Sequence, residues 1–338
     1  MEALIHNHLS SFPILVLILV IAGTLYTLSK GADILVDEAV SLSVHWGVPK
    51  MIIGATIVSL GTTLPEASVS VLAAINGNPD LALGNAIGSI IVDTGLIIGL
   101  AALIGRLPVD QMIVDRQGKV QFLAGVLLAV VSLPIFSNGV TGKITQWMGW
   151  VFILLLVTYI YVSIKWARNS DATENENEDT FGEERSPIII QMLKLLFGVV
   201  LVIGSSKILI PAVEITAIRI GIPQSVIAAT LVAFGTSLPE LVTAITAVKK
   251  GHGELAVGNI VGADILNVLF VIGSAAAVTA GGLNVPVNFY KLQIPTMLII
   301  LFAFRMFSKN KNLEITKKEG LLLFGIYMIY LVLNYTWI

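Results

Sequence analysis

The residues able to do chemistry are acids set inside apolar runs. Glu66 closes the string GTTLPE at 61–66, and Glu240 closes GTSLPE at 235–240. Asp93 and Asp264 are two further acids in apolar surroundings. A charged side chain at mid-bilayer depth costs roughly 2.5 kcal/mol or more. Such an acid needs a proton, hydrogen bonds or a cation. Oxygen ligands surround the four in sequence. Thr62 and Glu66 are spaced i,i+4 on one helix face, as are Thr236 and Glu240, and Ser89 and Asp93. Thr63 and Ser237 add hydroxyls one step round, and Asn267 adds an amide oxygen at i+3 from Asp264. Carboxylates, amides, hydroxyls and carbonyls suit hard cations such as Ca²⁺, Na⁺ or Mg²⁺. Acids crowded together repel unless something neutralises them. A divalent ion, monovalent ions or protons can each do so, but not all at once.

Each feature also has a plain structural reading. A lone intramembrane Glu can sit protonated and merely tie helices together. Thr and Ser often bond back to their own helix, and small residues permit close packing. The glycines at 84, 88, 258 and 262 are read here as packing residues. Duplication favours chemistry: both glutamates follow a proline in the same Gly-Thr-Thr/Ser-Leu-Pro context.

Those prolines dictate local backbone. Pro65 and Pro239 have no N–H to offer the carbonyls of Gly61 and Gly235. A helix broken at mid-depth is expected, with carbonyls released inward. Backbone of that kind survives in a membrane only when buried in protein or lining a cavity.

The elements that must hold these groups are membrane helices. Of 338 residues, 56% are hydrophobic and 12% charged, and mean hydropathy is +0.89. A globule so poor in charge could not cover a surface facing water, so lipid is the main solvent and partner. Net charge is −2, which leaves no basic field for nucleic acid. With no cysteine, disulfides and thiolate metal sites are excluded. The four histidines (His6, His8, His45, His252) lie outside the deep apolar runs. No resident cofactor is expected, and no obligate protein partner is evident. The first apolar run has no basic flank or small-residue cleavage site and reads as a retained span.

A span needs about 20 mostly apolar residues. The expectation is an all-α multi-pass protein with ten spans, at 12–38, 48–76, 80–104, 119–137, 146–167, 188–217, 223–248, 254–280, 287–307 and 318–336. The polar, acidic stretch 168–187 divides them into halves, 1–167 and 188–338. Lys and Arg concentrate in one set of loops. That set, with the linker, is expected to be cytoplasmic, and both termini outside; the compartment is the cell membrane.

The halves repeat each other. Residues 54–66 (GATIVSLGTTLPE) align with 228–240 (AATLVAFGTSLPE), an offset of 174 residues (228 − 54). The same offset aligns 84–93 (GNAIGSIIVD) with 258–267 (GNIVGADILN). Five spans per half is an odd number, so the second half enters from the opposite side. The repeats are therefore expected to be inverted, a common transporter plan with its site near the midplane.

At these motifs the chain resembles the cation/calcium antiporter superfamily, most closely its prokaryotic sodium/calcium exchanger branch. The resemblance covers nearly the whole chain. It implies exchange of Ca²⁺ for Na⁺ by alternating access, with spans 1 and 6 sliding against an eight-helix core. It implies that Glu66 and Glu240 are the principal Ca²⁺ ligands, helped by Thr62 and Thr236. Thr63, Ser237 and Ser89 match positions lining the Na⁺ sites, and Asp93 and Asn267 match the central polar pair. Two departures stand out. The acid of that pair lies in the first repeat here, which weakens a potassium-dependent reading. Ala263 stands where a hydroxyl would match Ser89, and Asp264 beside it can compensate. Asp264 can face the ion site or pair elsewhere; the residues leave both readings open. The rivals are Ca²⁺/H⁺ exchange, potassium-dependent exchange, a passive cation channel, and an intramembrane aspartyl hydrolase using Asp93 and Asp264. The repeats give the last no purpose, and no enzymatic activity is expected.

Overall fold

A computed structural model describes residues 2–136, 141–169, 187–221, 235–310 and 313–336. Twelve helices cover most of them. A short α1 (Glu2–Ser10), outside the apolar pattern, precedes α2 (Ile14–Trp46). Then come α3 (Lys50–Thr62), α4 (Leu64–Ile75), α5 (Pro79–Ile104), α6 (Gln111–Val131) and α7 (Gln146–Asn169). The second half supplies α8 (Ile188–Arg219), α9 (Leu238–Lys249), α10 (Gly253–Val278), α11 (Phe289–Phe307) and α12 (Lys317–Thr336).

Among the described residues, six helices are long and apolar enough to cross a membrane, or seven if the bent pair α3–α4 is one span. The apolar runs predict ten. The difference has physical causes. α6 carries Asp115, Arg116 and Lys119 near its start, and α12 opens on Lys317, Lys318 and Glu319. Of the expected span 223–248, the part before 235 lies outside the described residues, as does most of the 168–187 linker. Boundaries elsewhere follow the apolar pattern within a few residues. The exceptions are α6, which runs Gln111–Val131 where 119–137 is expected, and α2, which continues past 38 to Trp46 and stops at Gly47, a residue in the left-handed region (φ 61°) that caps it.

α5 and α10 form the centre, and α10 is buried along almost its whole length. Backbone contact permits this. A Cβ on Gly258 would collide with the Met51 carbonyl oxygen, and one on Gly262 would collide with that of Ala55. Helix α10 therefore sits directly against α3, as the packing reading of those glycines requires. The first-repeat glycines at 84 and 88 make no such close approach among the described residues.

α2 and α8 pair along their length at one side. Their crossing is also glycine-mediated: a Cβ on Gly198 would meet the Leu35 nitrogen at 2.9 Å. Small apolar clusters of their own (Leu28, Ala32, Val202 and Leu209; Leu17, Ala212 and Ile215) lie apart from the main core. Their outer faces, including Leu15, Leu19, Tyr26, Leu193 and Phe197, are exposed, as lipid-facing surfaces are.

Two short ribbons join the halves. Leu107–Pro108 pairs antiparallel with Glu314–Ile315, and Lys143–Ile144 with Leu283–Asn284. Each takes one strand from either side of the linker. Ion pairs link helices: Lys50–Glu254 (3.3 Å), Lys194–Glu38 (3.3 Å), Lys250–Asp37 (2.8 Å) and Lys309–Asp115 (3.2 Å).

Candidate ion-binding site

The broken helix is where the prolines put it. α3 ends at Thr62, α4 begins at Leu64, and the axis turns by 44°. Pro65 thus falls in the first turn of α4, where its missing N–H leaves no interior gap. In the second half Thr236 and Ser237 form a turn, and α9 starts at Leu238 with Pro239 in its first turn. Thr63 and Ser237 occupy the N-cap positions of α4 and α9. Residues of these types ordinarily cap the helix with their own oxygen. Neither does so here, and both hydroxyls are buried without a hydrogen-bond partner.

The two turns are tied to the opposite half by matching bonds. The Thr62 hydroxyl donates to Asn259 Oδ1 at 3.4 Å, and the Thr236 hydroxyl donates to Asn85 Oδ1 at 3.0 Å. Thr236 and Asn259 are the 174-residue counterparts of Thr62 and Asn85 (62 + 174 = 236; 85 + 174 = 259). The bonds are the same contact made twice with the halves exchanged. Asn85 also donates from Nδ2 to the Glu66 carbonyl at 3.2 Å and to Ser70 Oγ at 3.0 Å. Both asparagines stand inside the repeated strings, but no sequence pattern gives them this role. Their partners lie 197 and 151 residues away, beyond any local signal.

Glu66 and Glu240 are each 1% exposed. The two carboxyls lie close enough for their charges to interact. Asp93 lies within charge reach of Glu240 and Asp264. Asp93 and Asn267 fall in two unusual stretches that match between the halves. The helix widens to π geometry over Val92–Ile97 in α5 and over Asn267–Ile272 in α10. Such wide turns often mark functional positions. A 3.6-residue apolar pattern gives no sign of them.

Thr62, Thr63, Glu66, Ser89, Asp93, Ser237, Glu240, Asp264 and Asn267 are all buried, and Thr236 is partly so. Both oxygens of Glu66, Glu240 Oε2, Asp93 Oδ1 and Asn267 Oδ1 have no hydrogen-bond donor. Thr243, which no sequence pattern singles out, is buried three residues past Glu240 with its hydroxyl likewise unpartnered. None of the ion pairs found among the described residues reaches these acids. Buried acceptors are normally satisfied; a concentration of unsatisfied ones is an environment for a positive guest. Among the described residues, no three acidic or imidazole groups cluster tightly enough to hold a metal by themselves. A cation held here would need hydroxyl, amide or main-chain oxygens beside the acids.

A helical membrane protein with a buried oxygen-lined centre between two half-helices is the class these features define. The sodium/calcium exchanger protein profile matches residues 16–165 and 190–336, and the chain belongs to that family. It is 32% identical to the Escherichia coli inner membrane protein YrbG, over 94% of this chain and 96% of that one. It is 27% identical to the sodium/calcium exchanger MaX1 of Methanosarcina acetivorans, over 90% of this chain and 94% of that one. The structure superposes on the sodium-calcium exchanger NCX_Mj soaked with 10 mM Na⁺ and zero Ca²⁺ with a TM-score of 0.79. That match has 25% identity and covers 95% of this chain and 99% of NCX_Mj.

Proposed function

We propose that this protein moves Ca²⁺ out of the cell in exchange for Na⁺, by alternating access to one mid-membrane site. In this reading ten spans form two inverted five-helix halves, 1–167 and 188–338, joined by a cytoplasmic linker at 168–187. Both termini lie outside. Glu66 and Glu240 are the principal Ca²⁺ ligands, with Thr62 and Thr236 beside them. Thr63, Ser237, Ser89, Asp93 and Asn267 line the Na⁺ positions and the cavity around them. Family membership supports the cargo. The exchanged Thr–Asn bonds and the ribbons between halves support the two-fold plan.

The single observation carrying the site is the set of donorless oxygens on Glu66, Glu240, Asp93 and Asn267, all of them buried. Protons or Na⁺ can neutralise the acids one by one, whereas one Ca²⁺ offsets two of their charges at once. Displacement of one by the other couples the fluxes. Counterflow in proteoliposomes tests this. An imposed Na⁺ gradient should drive Ca²⁺ uptake against its own gradient, with and without K⁺. Uptake that follows only a pH gradient would move the reading to Ca²⁺/H⁺ exchange. Ca²⁺ flux indifferent to opposing Na⁺ would make the protein a channel.

A further inference from the structure

Asp264 has surroundings unlike those of the other acids. Both of its donors converge on one oxygen: Thr94 Oγ1 of α5 at 2.5 Å and Gln121 Nε2 of α6 at 2.6 Å both reach Oδ2. The other oxygen, Oδ1, is buried with no donor. Asn267, three residues on and so on the same face of α10, also presents a buried Oδ1 without a donor. Helix α6 packs on α10. One turn before Gln121, on the same side of α6, Gln117 is 1% exposed and neither end of its amide has a partner. Asp93 is near enough for its charge to interact with that of Asp264.

Two donors on one oxygen fix the carboxylate's orientation. They leave the second oxygen, an asparagine oxygen and an idle glutamine amide with unfilled needs. What the acceptors lack is positive charge. We propose that Asp264 Oδ1, Asn267 Oδ1 and the Gln117 amide oxygen form an additional position for a monovalent alkali cation. It lies beside the Glu66–Glu240 centre, with Thr94 and Gln121 as positioning residues. One carboxylate among neutral oxygens matches one positive charge; a divalent ion ordinarily gathers several carboxylates. The proposal extends the exchanger reading and leans on it only for the flux measurement. The rival is an Asp264 that keeps a proton on Oδ1 and donates it to Asn267.

Asp264→Asn separates the two, because an amide reproduces the protonated acid in shape and donor but cannot supply charge. The first measurement is protection of the purified full-length protein against thermal unfolding by NaCl, KCl and choline chloride at equal ionic strength without Ca²⁺, and separately by CaCl₂. Ligands that bind the native state raise the midpoint. D264N should need about tenfold more Na⁺ or K⁺ for the same protection, while Ca²⁺ protection stays unchanged. The salt to which the wild type responds more strongly identifies the ion. The second measurement is the Na⁺ dependence of Ca²⁺ efflux, whose steepness should fall in D264N while Ca²⁺/Ca²⁺ self-exchange persists. Unaltered alkali-ion protection and steepness would overturn the site. Equal loss of Ca²⁺ protection would overturn it too, by assigning Asp264 to the Ca²⁺ centre. If D264N does not fold, Thr94→Val decides between the two: weaker alkali-ion protection supports the site, and unchanged protection overturns it. Should the wild type show Na⁺ protection without Na⁺-driven Ca²⁺ flux, the exchanger reading fails and the cation position stands on the unfolding data.

Discussion

At the scale of single residues, the glutamates carry the sharpest expectation. Glu66→Gln or Glu240→Gln keeps shape and removes charge. Each should cut Ca²⁺ uptake in proteoliposomes at least about a hundredfold, as expected when a buried ion loses its main counter-charge, with expression and elution profile preserved. Full activity in both would dismiss the site. The carboxylates must be ionised to hold Ca²⁺, so protons compete. Apparent Ca²⁺ affinity should fall steadily as pH is lowered, and a pH-independent affinity would contradict carboxylate ligation. Much of this was legible from sequence, because a charged residue in an apolar run is conspicuous and its repetition after Pro more so. Asn85, Asn259, Thr243 and Gln121 were not legible. Each is an ordinary polar residue until its surroundings in the fold are seen.

At the scale of elements, the prolines disclosed the break between α3 and α4, and the apolar runs disclosed most helices. The π-wide turns at Asp93 and Asn267 stayed hidden, since one inserted backbone step leaves composition and local pattern unchanged. Glycine contacts make a test at this scale. Gly258→Leu places side-chain atoms where the Met51 carbonyl now lies. Overpacking of this kind costs about 1–3 kcal/mol, so unfolding in detergent should occur several degrees lower. Gly204→Ala, at a position open to a Cβ, should leave it nearly unmoved. A reversed order would show that α3 and α10 do not meet through backbone.

At the scale of the whole molecule, the halves match in their centre and differ at their rim. Lys250 joins the end of α9 to Asp33 (3.4 Å) and Asp37 (2.8 Å) of α2. The counterparts of these three residues by the 174-residue offset are Asn76, Lys207 and Pro211, which cannot form an equivalent ion pair. A tether with no counterpart at the offset positions weights the two faces unequally. Exposed pairs contribute about 0.2–1 kcal/mol, so Lys250→Ala should shift the ratio of inward- to outward-accessible protein by up to about fivefold. Because the chain has no cysteine, one introduced thiol labelled from either side reads that ratio directly. An unchanged ratio would deny the tether any influence.

The Thr62–Asn259 and Thr236–Asn85 bonds bear on biosynthesis. A nascent chain that has emerged as far as Asn169 carries one member of each pair, and neither bond can form until the rest inserts. Two polypeptides divided within 170–186 and made together should dock and regain transport.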